Sequence, residues 1–251
     1  IIRGLLFGYH HRWLDEPWQV HEIESEFHVP IFNPDTRRPS RHFTHAGKVD
    51  GLVSRDGRTY LLEHKTCRDA LGPDSPYWKR LTIDTQISGY LLARWHLGQR
   101  LDGVLYDVIR KPEIRPRKLS DREEKQLTIT RRYCGSPLDD TAYELWRKDP
   151  ASRETPAMFE ARLAQDTLAR PDWYFDRRII VRLDQELLTY ARELWQTARE
   201  MHLAERAQDR RRNDRACMAY DRPCEYLDVC AGHGRLDHPR WKKLVTIHTV
   251  L

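Results

Sequence analysis

The chain has 251 residues and carries 43 Lys and Arg against 38 Asp and Glu, a formal net charge of +5. A chain of this length buries a full core and folds as one large domain, or as one domain with an appendage. No apolar run approaches the roughly 18 residues of a helical membrane span, so no membrane partner is expected, and the basic balance suits a polyanionic partner without demanding one.

The first residues lack the basic start, apolar core and cleavage site of a secretory signal. The chain begins at Ile1 rather than Met, and further residues upstream are therefore expected. Ile1 to Trp18 places Leu5, Leu6, Tyr9 and Trp13 at the spacing of one helix face. His21 to Ile31 alternates in the manner of a strand and runs into the turn composition Asn33-Pro34-Asp35. Phe43 to Val53 and Thr59 to Lys65 flank Arg55-Asp56-Gly57-Arg58, where Asp-Gly signals a hairpin between two antiparallel strands.

Leu81 to Leu97 has helical period through Ile83, Ile87, Tyr90, Leu91 and Trp95, with Gly98 at the C-cap. Val104 to Ile109 is a short apolar strand. Residues 112–172 read as a mostly helical insertion, with a capping box at Ser120 and Glu123 and an N-cap at Thr155 before Pro156. Tyr174 to Leu183 returns to strand, and Gln185 to Ala207 is a long amphipathic helix through Leu187, Leu188, Leu194 and Leu203. The order predicts an α/β core, a mixed β-sheet flanked by helices.

Charge is unevenly spread. From Arg110 to Arg132 nine basic residues face four acidic ones, and Arg210, Arg211, Arg212 and Arg215 crowd the approach to the last cysteines. A solvated charged surface accounts for these runs as well as a nucleic-acid footprint does.

The chemistry gathers on the hairpin. Side chains at i and i+2 of a strand share a side, so Glu63 and Lys65 project together while His64 faces away, and Asp50 on the neighbouring strand can meet them. Two converging carboxylates repel unless a cation lies between them. Hard oxygen ligands favour Mg²⁺ or Mn²⁺. Such an ion polarises a phosphate and lowers the pKa of a water, and Lys65 is placed to orient or deprotonate that water and to balance charge on the phosphate.

Three segments in order, Gly47-Lys48-Val49-Asp50-Gly51, Leu61-Leu62-Glu63-His64-Lys65-Thr66 and Gln86-Ile87-Ser88-Gly89-Tyr90, resemble the aspartate, ExK and QxxxY motifs of RecB-like PD-(D/E)xK nucleases. The resemblance covers about Phe43 to Lys111. It implies a restriction-endonuclease-like fold, with Asp50 and Glu63 binding metal, His64 adding its main-chain carbonyl and Lys65 assisting hydrolysis. It also implies that Gln86 and Tyr90, one helical turn apart, line the DNA strand. A core tyrosine beside a satisfied glutamine is the alternative account of that pair. The family places a metal-binding histidine on a helix before the first strand, for which His10 and His11 are the candidates, unless it lies upstream of Ile1. Glu24 is a candidate accessory acid, or an ordinary exposed strand residue.

Five cysteines are an odd number for a disulfide framework, and Cys217, Cys224 and Cys230 crowd into fourteen residues, which reads as reduced, cytoplasmic and metal-related. Iron-sulfur clusters and zinc are the usual occupants of such sites. AddB-type and CRISPR-adaptation RecB-like nucleases carry a 4Fe-4S cluster on three C-terminal cysteines and one upstream. That similarity implies a cluster here, with Zn²⁺ as the alternative and the fourth ligand upstream of Ile1, or Cys134 or Cys67. The first gap is longer than the usual CxxC, and no cysteine precedes Asp50.

The domain reading is a nuclease core over 1–111, the insertion over 112–172, and a strand, helix and cysteine subregion over 173–251 completing the same domain. The expected function is metal-dependent exonucleolytic hydrolysis of single-stranded or end-exposed DNA in recombination, repair or phage DNA processing. The setting is a bacterial or phage-infected cytoplasm, with a separate helicase or recombinase as partner. The alternative is a catalytically inactive nucleic-acid-binding module of the same fold.

Overall fold

Residues 1–150, 153–208, 212, 216–219 and 222–242 are described by the computed structural model. At the centre of the sheet, β2 (Pro39–Arg55) and β3 (Arg58–Cys67) turn on Asp56 and Gly57. Both turn residues have positive φ, 53° and 74°, the two-residue geometry whose twist matches that of the flanking strands. β1 (Gln19–Phe32) pairs antiparallel with β2, while β4 (Gly103–Arg110) pairs parallel with β3.

The crossover to β4 is carried by α2 (Pro76–Lys79), a 3₁₀ turn at Arg80–Ile83 and α3 (Thr85–His96). Asp84 caps α3 by accepting from the Ile87 amide at 3.0 Å. Gly98, at φ 81°, ends it in a Schellman motif, with Gly98 N donating to Trp95 O and Gln99 N to Arg94 O. β7 (Phe175–Ile180) adds antiparallel to β4 and completes the mixed order β1-β2-β3-β4-β7.

Strand parity then sorts the side chains. Leu61, Val104, Tyr106 and Val108 face Ile87 and Leu91 of α3 in the largest core cluster, and Glu63 and Lys65 share that face. Leu62, His64, Leu105 and Asp107 point to the reverse face, where α1 (Ile2–Arg12) packs. The expected helix face of α1 holds at three of its four residues and fails at Leu6. α1 meets α6 (Pro156–Ala169) through Gly4 and Gly8, with Leu5, Tyr9 and Trp13 beside them, whereas Leu6 is 53% exposed. Ile83 likewise leaves the face expected of it and is 85% exposed, because the 3₁₀ turn before Asp84 breaks the period.

The insertion builds α4 (Asp121–Thr130), α5 (Asp140–Lys148), α6 and α7 (Pro171–Tyr174), with a small hairpin of β5 (Arg132–Tyr133) and β6 (Ser136–Pro137) that composition did not announce. Both expected caps form: the Ser120–Glu123 box and Thr155 accepting from Met158 N. A separate core of Leu127, Tyr133, Tyr143, Trp146 and Met158 holds it together. α8 (Asp184–Ala207) follows β7.

By internal contacts the chain divides into Ile1–Ala198 and Arg199–Leu251. Described parts of the second unit are β8 (Met218–Ala219), β9 (Arg222–Pro223), α9 (Leu227–Cys230) and a stack of Tyr226 on Trp241 at 4.7 Å. Of the expected basic run at 210–215, only Arg212 lies among the described residues. No described helix is long and apolar enough to cross a membrane.

Candidate active site

The β2–β3 ladder runs from the turn to the pair Gly51–Leu62, after which β2 continues with β1 and β3 with β4. In this fork the His64 amide donates to Asp50 Oδ2 at 2.7 Å, in place of a strand partner. Glu63, one residue beyond the last ladder pair, is 2% exposed. Its Oε1 is ion-paired with the Lys65 ammonium, and its Oε2 is buried with no hydrogen-bond partner.

Burial raises the Glu63 pKa, Lys65 opposes the rise and the Asp50 charge adds to it. For Lys65, burial works against the charged form. The hydrogen bond and charge of Glu63, with the charges of Tyr90 and Asp50, nevertheless leave its pKa above the usual lysine value. The resting site therefore holds an ammonium, suited to orienting and charge balance more than to taking up a proton.

α3 supplies the third wall. Gln86 Nε2 donates to the Tyr90 hydroxyl at 2.8 Å, and the half-buried Tyr90 ring meets Phe27 edge-on at 5.9 Å. A Cβ on Gly47 would fall 2.7 Å from Phe27 Cζ and 3.5 Å from Tyr90 Cε1, so the glycine permits this approach. Asp50, Glu63, Lys65, Gln86 and Tyr90 are thus brought to one region.

Two carboxylates with a free buried oxygen form an acceptor-rich set of hard donors, the kind that takes Mg²⁺ or Mn²⁺ with water and substrate phosphate completing the shell. Among the described residues no group of three His, Cys, Asp or Glu side chains could hold an ion unaided.

The expected histidines lie elsewhere, whereas Glu24 lies next to Asp50. His10 and His11 are exposed near the end of α1, and His10 lines a cleft on the reverse face together with the His64 side chain, away from Glu63 and Lys65. Glu24 falls between the ladder pairs Ile23–Gly51 and Ser25–Val49, alongside Asp50. It has a φ of 52°, rare for a residue with a side chain, and is ion-paired with Lys48 at 2.5 Å.

Cys67 is buried in the main core and Cys134 packs against the insertion's core, and burial raises the pKa of both thiols. The β8–β9 hairpin brings the main chains of Cys217 and Cys224 together, with Cys224 N donating to Cys217 O at 2.8 Å. Cys230 ends α9.

A row on the reverse face went unread in the sequence. The register sets His64 beside Asp107 and Asp107 beside Arg177 across β3, β4 and β7. Asp107 is fully buried. Its Oδ2 accepts from the Tyr9 hydroxyl, and lies 3.2 Å from His64 Nδ1 and 3.0 Å from Arg177 Nε. Arg177 also donates to Tyr9 Oη at 2.6 Å and to Glu16 at 3.0 Å, with its guanidinium 4.2 Å from the Trp13 ring centroid. The available signal was an aspartate inside the apolar run Val104 to Ile109, since a charge there needs partners.

No model of a known protein family matches the chain, and no curated protein matches it.

Proposed function

We propose that this chain is a divalent-metal-dependent deoxyribonuclease of the PD-(D/E)xK type, acting as an exonuclease on single-stranded or end-exposed DNA. The observation that carries the reading is the unpartnered Glu63 Oε2, buried beside Asp50 and a charged Lys65 where the central strands part. A buried carboxylate oxygen without a donor is unfavourable in a fold and useful as a cation ligand.

Asp50, Glu63 and the main-chain carbonyl of His64 would hold Mg²⁺ or Mn²⁺. When bound, that ion supplies Lewis-acid polarisation of the phosphate and a more acidic water. Lys65 orients the attacking water and balances charge gathering on the phosphate oxygens. Gln86 and Tyr90, locked to each other, give the DNA strand a fixed wall. Water adds its oxygen to phosphorus and the P–O3′ bond breaks; the water gives up a proton to solvent and the departing O3′ takes one up, leaving a 5′-phosphate and a 3′-hydroxyl.

Cys217, Cys224 and Cys230 are the ligand set we assign to a 4Fe-4S cluster, or to Zn²⁺, with a structural role. Iron and sulfide analysis of purified protein separates the two occupants. A helicase or recombinase is the partner class that would present DNA ends, and recombination, repair or phage DNA processing the setting.

The deciding experiment is cleavage of end-labelled single- and double-stranded DNA with Mg²⁺ or Mn²⁺. The wild type is expected to cut, and Asp50→Ala and Lys65→Ala to lose cutting while keeping DNA affinity within a few fold. Full activity in Lys65→Ala would remove the mechanism. Silence of the wild type in every metal, with tight DNA binding, would make the chain a non-catalytic binding module.

A further inference from the structure

We infer that His64, held on the reverse face by Asp107, Arg177 and Tyr9, is a positioning residue for the proposed cation site. The inference rests on that cation reading and adds to it four side chains, of His64, Asp107, Arg177 and Tyr9, that never touch the ion, His64 meeting it only through its main chain. His64 is the one residue of the row that belongs to both faces. Its imidazole points to the reverse side, with Nδ1 3.2 Å from Asp107 Oδ2, and its amide donates to Asp50 Oδ2 at 2.7 Å on the site side. Glu63 and Lys65 are its chain neighbours.

Strand side chains alternate across a rigid pleat, so fixing the imidazole fixes the peptide units on either side of it. Beyond Leu62 this segment has no ladder to β2 and is held on its other side by β4, so the Asp50 contact ties it to β2 while the imidazole ties it to Asp107 of β4. The anchor is stiff. Asp107 is fully buried, and its Oδ2 accepts from the Tyr9 hydroxyl and is ion-paired with His64 and Arg177, while Arg177 is itself fixed by Glu16, Tyr9 and the Trp13 ring.

Without the imidazole Asp107 already has Arg177 as its counter-ion and Tyr9 as its hydrogen-bond donor. The added imidazole is about half exposed and is the member through which the row reaches Asp50. Partners that orient ligands from behind are typically worth about 10–100-fold in metal affinity.

The test is direct Mn²⁺ binding to the full chain without DNA, by titration followed with electron paramagnetic resonance, alongside thermal unfolding. His64→Ala and Asp107→Asn are each expected to weaken Mn²⁺ about 10-fold or more. The double variant is expected to bind Mn²⁺ no more weakly than the weaker single, because Asp107 acts through His64. Asp107→Asn should lower the melting temperature in both backgrounds, so stability and cation affinity separate. Should Asp107→Asn fail to fold, Tyr9→Phe removes one donor to the same oxygen and is expected to weaken Mn²⁺ in the wild type and not in His64→Ala.

Wild-type Mn²⁺ affinity in His64→Ala, or losses that multiply in the double variant, would overturn the inference while leaving the cation site standing. A folded wild type that binds no Mn²⁺ would overturn both. Loss of binding in Asp50→Ala with none in His64→Ala would retain the site and remove the positioning role.

Discussion

Two glutamates lie almost beyond solvent, Glu63 at 2% and Glu154 at 6% exposure, and their surroundings are opposite. Glu154 Oε1 accepts from the Tyr133 hydroxyl at 2.6 Å and Arg162 Nε at 2.5 Å. Its Oε2 accepts from Arg162 Nη2 at 2.7 Å and the Arg117 amide at 3.1 Å. Burial by itself would raise its pKa, yet these donors hold it below the usual glutamate value. Glu63 has a single ion-pair partner and an unpartnered oxygen, and burial leaves its pKa raised. A saturated buried carboxylate is one the fold needs. An unsaturated one, at roughly 1–3 kcal/mol for the missing donor, marks a place kept for something other than stability. Among the described residues the only other buried carboxylate oxygen without a partner is Asp107 Oδ1, on the far side of His64.

Amide substitution at each position sharpens the contrast. Glu63→Gln is expected to lower metal-dependent DNA cleavage by about 10³-fold or more and to change unfolding free energy by less than about 1 kcal/mol, since it exchanges an ion pair for relief of a buried charge. Glu154→Gln is expected to lose about 3 kcal/mol of stability, because the partly buried Arg162 is left against a neutral group, with cleavage per folded molecule unchanged. Denaturant unfolding and single-turnover cleavage on the same preparations read both. A destabilised Glu63→Gln that still cuts would invert the comparison and end it.

The sequence made one of these glutamates visible and not the other. Glu63 is legible because two-residue alternation puts it on one side with Lys65, and because Asp56-Gly57 fixes the hairpin that brings Asp50 near; both signals are local. Glu154 draws its donors from Arg117, Tyr133 and Arg162, and Asp107 has a hydrogen bond from Tyr9 and ion pairs with His64 and Arg177, so neither environment exists until distant segments pair. Apolar spacing found the helix and the packed side chains Leu5, Tyr9 and Trp13, but it misplaced Leu6 and is silent about glycine as a contact surface. A Cβ on Gly8 would lie 2.1 Å from Thr167 Oγ1 and 2.4 Å from its Cβ. Gly8→Ala is therefore expected to destabilise by about 1–3 kcal/mol from overpacking, despite the roughly 1 kcal/mol that alanine contributes inside a helix. Thr167→Ala should recover only part of the loss, since its own Cβ is in the way. A more stable Gly8→Ala would show that the two helices do not meet there.

Glu123 is the partly exposed counterpart of Glu154 and carries the smallest of these effects. It caps α4 by accepting from the Ser120 amide at 2.8 Å and hydroxyl at 2.7 Å, and the Arg117 guanidinium donates to both of its oxygens, at 2.9 and 2.6 Å. Arg117 above all, then Ser120, against the opposing effect of burial, brings its pKa from 4.5 to about 2. Because the folded value lies below the unfolded one, the unfolded chain takes up the proton first. The stabilisation is present in full above about pH 4.5 and is lost as pH falls through that value toward about 2. Solvent screening limits it to on the order of 1 kcal/mol. The Arg117 amide is a donor to Glu154, so releasing this side chain also loosens the saturated site. Unfolding free energies of wild type and Glu123→Gln are expected to differ at neutral pH and to converge below about pH 4. A gap that stays constant down the acid limb would mean that the Arg117–Glu123 pair contributes nothing through its charge, leaving the capping hydrogen bonds as the whole of what Glu123 does.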